Sequence, residues 1–99
     1  MTMNPNDTYI KVYDWMSPIQ PTERLVYALI YQLTVSADGF WSTLGVMSDR
    51  LGIRKGSCRR ALDHLREIGA ITLTAQVILH RERQVYTADL NFADKLRNE

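Results

Sequence analysis

The sequence predicts an α+β fold: a three-helix core with a C-terminal two-stranded β-hairpin. Three observations predict it. Residues 21 to about 35 carry a wide apolar stripe, residues 42–71 read as two helices about a glycine turn, and residues 71–90 read as two strands around a charged loop. At 99 residues the chain makes one domain, with an expected radius of gyration of about 13 Å. A chain this short has room for a modest core and none for a deep cavity.

Residues 1–8, M-T-M-N-P-N-D-T, are polar and expected to be flexible. They lack a basic region followed by an apolar one, so no signal peptide is read there. Residues 9–16, Y-I-K-V-Y-D-W-M, alternate in character. They read either as a short strand or as an extended arm that packs its aromatics on the body. Ser17-Pro18 and Gln20-Pro21 punctuate the arm, because residues before proline avoid helix.

Pro21 suits the first position of a helix, where its missing N–H costs nothing. Glu23 follows where a capping box wants an acid, although Gln20 is a poor N-cap. Leu25, Val26, Leu29, Ile30 and Leu33 give this helix its stripe, and it is expected to be the most buried one. Ser36-Ala37-Asp38-Gly39 reads as a turn. Phe40-Trp41 reads as a brief strand, and Ser42 as the N-cap of the next helix.

Met47 and Leu51, four apart, put two apolar groups on one face of that helix. Gly52 stops it, since glycine accepts the left-handed conformation a C-terminal cap needs. Ile53 is suited to plugging the angle between the helices. Cys58, Ala61, Leu62, Leu65 and Ile68 recur at three- and four-residue spacing as one stripe of a second helix, which Gly69 ends. The pair makes a helix-turn-helix arrangement. Ile71, Leu73, Val77 and Leu79 mark one face of a strand over 71–79. Residues 80–83, H-R-E-R, form a charged loop, and residues 84–90 return. In the tail, residues 91–99, Phe92 and Leu96 stand four apart as in a short helix.

The net charge of +1 hides an asymmetry. Residues 1–49 hold two cations against five acids; residues 50–99 hold ten against six. The outward side of the second helix carries Lys55, Ser57, Arg59, Arg60, His64 and Arg66, with Arg54 just ahead. Long cations concentrated there suit a negatively charged polymer. The plainer reading of such a run is a solvated helix face; the helix-turn-helix pattern tips the balance towards nucleic acid.

Other chemistry is poorly represented. Cys58, His64 and His80 do not make a zinc pattern, and Cys58 on the apolar stripe reads as a small core residue. The glycines lack the spacing of a phosphate loop, and no serine, histidine and aspartate arrangement suggests a nucleophile with its base. No enzyme, metal or cofactor is expected. A single cysteine fits a reducing cytosol, and no apolar run approaches the ~20 residues that cross a bilayer. A cytoplasmic protein that does not engage membranes is expected.

The pattern M-S-D-R-L-G-I-x-x-x-S-C-R-R-A-L-x-x-L-x-x-I-G-A-I, residues 47–71, resembles the winged helix-turn-helix superfamily. Y-I-K-V-Y-D-W-M followed by P-T-E-R-L-V-Y-A-L-I-Y resembles, more narrowly, the helix-turn-helix domains of phage and plasmid replication proteins. The likeness covers residues 9–90. It implies that residues 55–66 enter the major groove of double-stranded DNA and that the 80–83 wing lies along the backbone. DNA contacts would then fall on Arg54, Lys55, Ser57, Arg59 and Arg60, with Arg81 and Arg83 on the wing. His64, read from its helix position alone, faces either solvent or phosphate. The implied task is replication or transcriptional regulation in a prokaryote or phage.

One departure is chemical. Where the family commonly has Ser or Thr to cap the recognition helix, this chain has Arg54, which cannot accept the backbone N–H bonds of a cap. The alternative function is a protein-interaction or dimerisation module without strong DNA binding. It would take a second copy or a replication-protein partner through the N-terminal arm or the C-terminal tail.

Overall fold

Helix α1 (Pro21–Ala37) is the element on which the others pack. The computed structural model describes residues 10–37 and 44–98, and there the chain is α+β, with four helices and one two-stranded antiparallel sheet. Val26, Tyr27, Ala28, Leu29 and Ile30 are consecutive in α1 and all buried. A helix covered on one face would bury only every third or fourth residue; this one is enclosed on several sides. The helix also runs on through residues 36 and 37, where a turn was expected. The expected N-terminal flexibility, the Phe40-Trp41 strand and the Ser42 cap lie outside the described residues.

The arm is extended and not a strand. Residues 10–13 are irregular and Asp14–Met16 form one 3-10 turn, closed by Met16 N–H donating to the Tyr13 carbonyl at 3.0 Å. Met16 and Ile19 are buried, and Ile10, Tyr13 and Trp15 pack half-buried on the core. Arg24 of α1 fixes the loop behind them: its guanidinium donates to the Ile19 carbonyl at 2.8 and 3.1 Å and to that of Ser17 at 2.9 Å.

Helix α2 (Leu44–Leu51) buries Met47 and Ser48 and leans Leu51 on the core. Gly52 ends it at φ +69°, with Gly52 N–H donating to the Asp49 carbonyl and Ile53 N–H to that of Ser48. Those two bonds are the Schellman cap that a left-handed glycine permits. Helix α3 (Lys55–Glu67) buries Cys58, Ala61, Leu62 and Leu65. The same device ends it: Gly69 at φ +80° donates to Arg66, and Ala70 donates to Leu65. The apolar stripe therefore stops one residue earlier than the spacing implied. Ile68 is the C-cap and is 42% exposed.

Strands β1 (Ile71–Ile78) and β2 (Arg81–Ala88) pair from Ile71 with Ala88 to Ile78 with Arg81. The connection is only Leu79-His80, both at positive φ, 54° and 65°. The expected 80–83 loop is thus corrected. Arg81, Glu82 and Arg83 belong to β2, because the register set at the buried root leaves two residues for the turn. The root is tied to the helices. Ala88 N–H donates to Thr34 Oγ1 at 2.9 Å, and that hydroxyl donates to the Ile30 carbonyl at 2.7 Å. Of the strand face expected to be apolar, Ile71 is buried but Val77 and Leu79 are 76% and 84% exposed, since the hairpin outruns the body.

Helix α4 (Leu90–Arg97) closes the fold. Asp89 is its N-cap, its carboxylate accepting from Phe92 N–H at 2.9 Å. Ala93 is buried, and Phe92 and Leu96 pack on the core. Phe92 meets Tyr27 edge-on at 5.9 Å, while Tyr13, Trp15, Tyr27 and Tyr31 form a continuous aromatic cluster. Arg97 covers it, 5.1 Å over Trp15 and donating to the Tyr31 hydroxyl at 2.7 Å. The radius of gyration, 13.3 Å, matches the expectation for this length.

Candidate functional site

The start of α3 is built loosely. Arg54 stands at the N-cap in extended conformation, φ −71° and ψ 149°, with no side-chain cap. Its carbonyl accepts the first helical bond, from Cys58 N–H at 2.9 Å. Gly56 follows inside the first turn, where glycine is less favourable than alanine by about 1 kcal/mol. What holds the helix is its inner side, where the four buried residues contribute about 1.5–3 kcal/mol for each large apolar side chain.

That burial aims the other side outward. Arg54, Lys55, Arg59 and Arg60 are exposed and Ser57 is half-buried. None of the four cations makes an ion pair among the described residues. Several other cations of the helical body are engaged. Arg24 holds two carbonyls, Lys11 lies 4.8 Å over Tyr13, Arg97 caps the aromatics, and Arg50 has a partner of its own. The first two turns of α3 therefore form a patch of unneutralised charge.

The patch has an edge that the reading of cations alone did not mark. Gly56, Arg60, Asp63 and Glu67 follow one another at spacings of four, three and four, so they line up directly away from the buried stripe. Asp63 and Glu67 are exposed. The outward row is thus cationic near the helix start and acidic towards its end. Arg66 lies on the flank facing the hairpin, where its guanidinium opposes the rise that burial imposes on the Tyr86 phenol.

His64 was expected to face solvent or phosphate; it is exposed, and its Nδ1 forms an ion pair with Glu23 Oε1 of α1. The hydrogen bond to that carboxylate, then its charge, holds the imidazole above its ordinary pKa, with a smaller push from Glu67. The reason is geometric. His64 shares a flank of α3 with Ser57, Arg60 and Ala61, and this flank makes an open cleft with Gln20, Thr22 and Glu23 at the start of α1. The signal was present in the sequence as an acid in the first turn of α1, read there only as part of a cap.

The structure brings Arg54, Lys55, Ser57, Arg59 and Arg60 together within two turns of helix. Arg81 and Arg83 are set apart in β2, opposite Ile78 and Gln76 on the outer half of the hairpin. Arg81 is exposed; the side chain of Arg83 lies outside the description. Between the two groups, β1 meets α3 at its root, where Ile71, Thr72 and Leu73 face Asp63, Arg66 and Glu67 across an open groove.

Chemically the site offers guanidinium, ammonium and hydroxyl donors. Cys58, the one thiol, is buried, and burial raises its pKa, which keeps it protonated and unreactive. Among the described residues no three His, Cys, Asp or Glu side chains cluster as a metal site, and no helix is long and apolar enough to cross a membrane. Comparison with models of protein families, with curated proteins and with solved structures finds no match for this chain.

Proposed function

We propose that the chain is a duplex-DNA-binding domain of winged-helix type, in which α2, the Gly52 turn and α3 form the helix-turn-helix and the hairpin forms the wing. In this reading the first two turns of α3 enter the major groove, as recognition helices do with their N-terminal residues. Arg81 and Arg83 lie along the backbone. The observation that carries the reading is the set of four exposed cations on those turns, none in an ion pair among the described residues.

The division of labour follows from reach and chemistry. Arg54 and Lys55, at the helix start, suit phosphate, which fixes register without reading sequence. Arg59 and Ser57 suit base edges, and an arginine gripping guanine O6 and N7 is worth about 1–3 kcal/mol of discrimination. Asp63 and Glu67 limit how deep α3 can sit, because they would repel the backbone on the far side. His64, exposed and paired with Glu23, stands at the edge of this face.

The resemblance in residues 9–90 favours a role in DNA replication over transcriptional control, in a prokaryotic or phage setting. The test of the DNA reading is the double substitution of Arg59 and Arg60 with alanine. Duplex binding, measured by anisotropy, should weaken sharply while the melting temperature stays where it was. Undiminished binding by a folded double variant would refute it.

The alternative, a partner-docking or dimerisation module, gains no specific observation. Tyr13 and Trp15 of the arm and Phe92 and Leu96 of the tail, which would carry it, pack on this chain's own core.

A further inference from the structure

The outer half of the hairpin is an unusual object. Beyond the Thr74–Val85 pair, every described side chain is exposed: Ala75, Val77 and Leu79 on one side of the turn, His80, Arg81, Glu82 and Gln84 on the other. Four rungs of sheet at about 3.3 Å each carry the tip roughly 13 Å past the buried root. At its end stands Leu79, 84% exposed, in a left-handed conformation at φ 54°, and His80 follows at φ 65°. A two-residue turn with both φ positive normally uses Asn-Gly, because a Cβ is disfavoured there. Leucine at this position gains no packing and strains the backbone. An exposed apolar side chain kept at the cost of backbone strain is a reason to look for a use.

We propose that Leu79 is a wedge that enters the minor groove and unstacks a base step, so that the domain bends the duplex it binds. This rests on the duplex-DNA reading above and adds a deformation to it. Two features favour DNA as the occupant. First, the charges in the chain around the tip, Arg81 and Arg83 against Glu82 alone, suit a polyanion. Second, the apolar tip is small. Val77 and Leu79 fall far short of the roughly 800 Å² per partner that a stable protein interface buries. One inserted apolar side chain, by contrast, is enough to open a base step. Size also predicts the bend. Two strands about 4.8 Å apart, with side chains, overfill a groove about 6 Å wide, so the groove must widen as the tip goes in. Steps that unstack easily, such as TA, should be preferred.

The test uses the whole chain with a duplex of about three turns containing TA steps, labelled with a donor and an acceptor at its two ends. Binding is read by anisotropy and bending by energy transfer on the same samples. Wild type should bind and raise the transfer. Leu79→Asn, which suits the left-handed turn, and Leu79→Ser should bind with the same salt dependence and leave the transfer at the free-duplex level. Binding by wild type without added transfer, or bending by Leu79→Asn equal to wild type, would overturn the wedge and leave the DNA reading intact. Absence of binding by wild type would overturn both. A loss of self-association in Leu79→Asn, seen by light scattering and without any change in bending, would assign the tip to a second copy of this chain instead.

Discussion

Gly56 sits in the first turn of α3 with open space where a Cβ would stand. Gly56→Ala should therefore stabilise the domain by roughly 0.5–1 kcal/mol. For a chain of this size that is a rise in melting temperature of a few degrees, measurable by calorimetry. Arg54→Ser should add about 1 kcal/mol by supplying the missing cap, and in the same step weaken duplex binding by removing a cation. A gain in stability with a loss of affinity would locate the conflict between fold and function at this residue.

His64 gives a second prediction at this scale. Its pKa is raised in the folded state by Glu23. The stability due to the pair is therefore complete below the ordinary histidine pKa and disappears as pH rises through the raised value. An NMR titration should find His64 above the ordinary value in wild type and lower in Glu23→Gln. Equal values in the two proteins would exclude the pair.

At the scale of elements, the helices were legible and the hairpin less so. The stripe in residues 25–33, the Met47–Leu51 pair and the stops at Gly52 and Gly69 follow from side-chain period and backbone conformation, both local properties. The hairpin register is not local. It is fixed where Ile71 and Ala88 are buried and where Ala88 N–H meets Thr34. The turn then falls on Leu79-His80, which carry no turn chemistry a reader of the sequence would recognise. Similarly, His64 was assigned from the helix it stands on, while its partner lies forty-one residues away.

Two measurements follow from these elements. Replacing Leu79-His80 with Asn-Gly should stabilise the hairpin by relieving the left-handed strain, a gain on the order of 1 kcal/mol. Asp89→Ala should cost about 0.5–2 kcal/mol, because it frees Phe92 N–H at the start of α4. It should also loosen the packing of Phe92 on Tyr27, seen as increased hydrogen exchange in α4 ahead of global unfolding.

Across the whole molecule, two groups of cations stand out. Arg24, Lys11 and Arg97 brace the arm and the aromatic cluster. Arg54, Lys55, Arg59 and Arg60 are left exposed on one end of one helix. The basic second half of the sequence becomes in three dimensions one face of α3 with four cations exposed and outside any ion pair among the described residues. The arm and tail, candidates for a docking role when read as sequence, are part of the core. That leaves the α3 face and the hairpin as the surfaces with unexplained chemistry.

The measurement that tests this most directly is a salt titration of binding to a random-sequence duplex. If the first turns of α3 and the hairpin together meet about four to six phosphates, log affinity should fall with log salt at a slope near −4 to −5. That slope should be reduced in the Arg59→Ala, Arg60→Ala double variant. No binding at low salt, or a slope that the double variant leaves unchanged, would contradict the assignment of the α3 face to DNA.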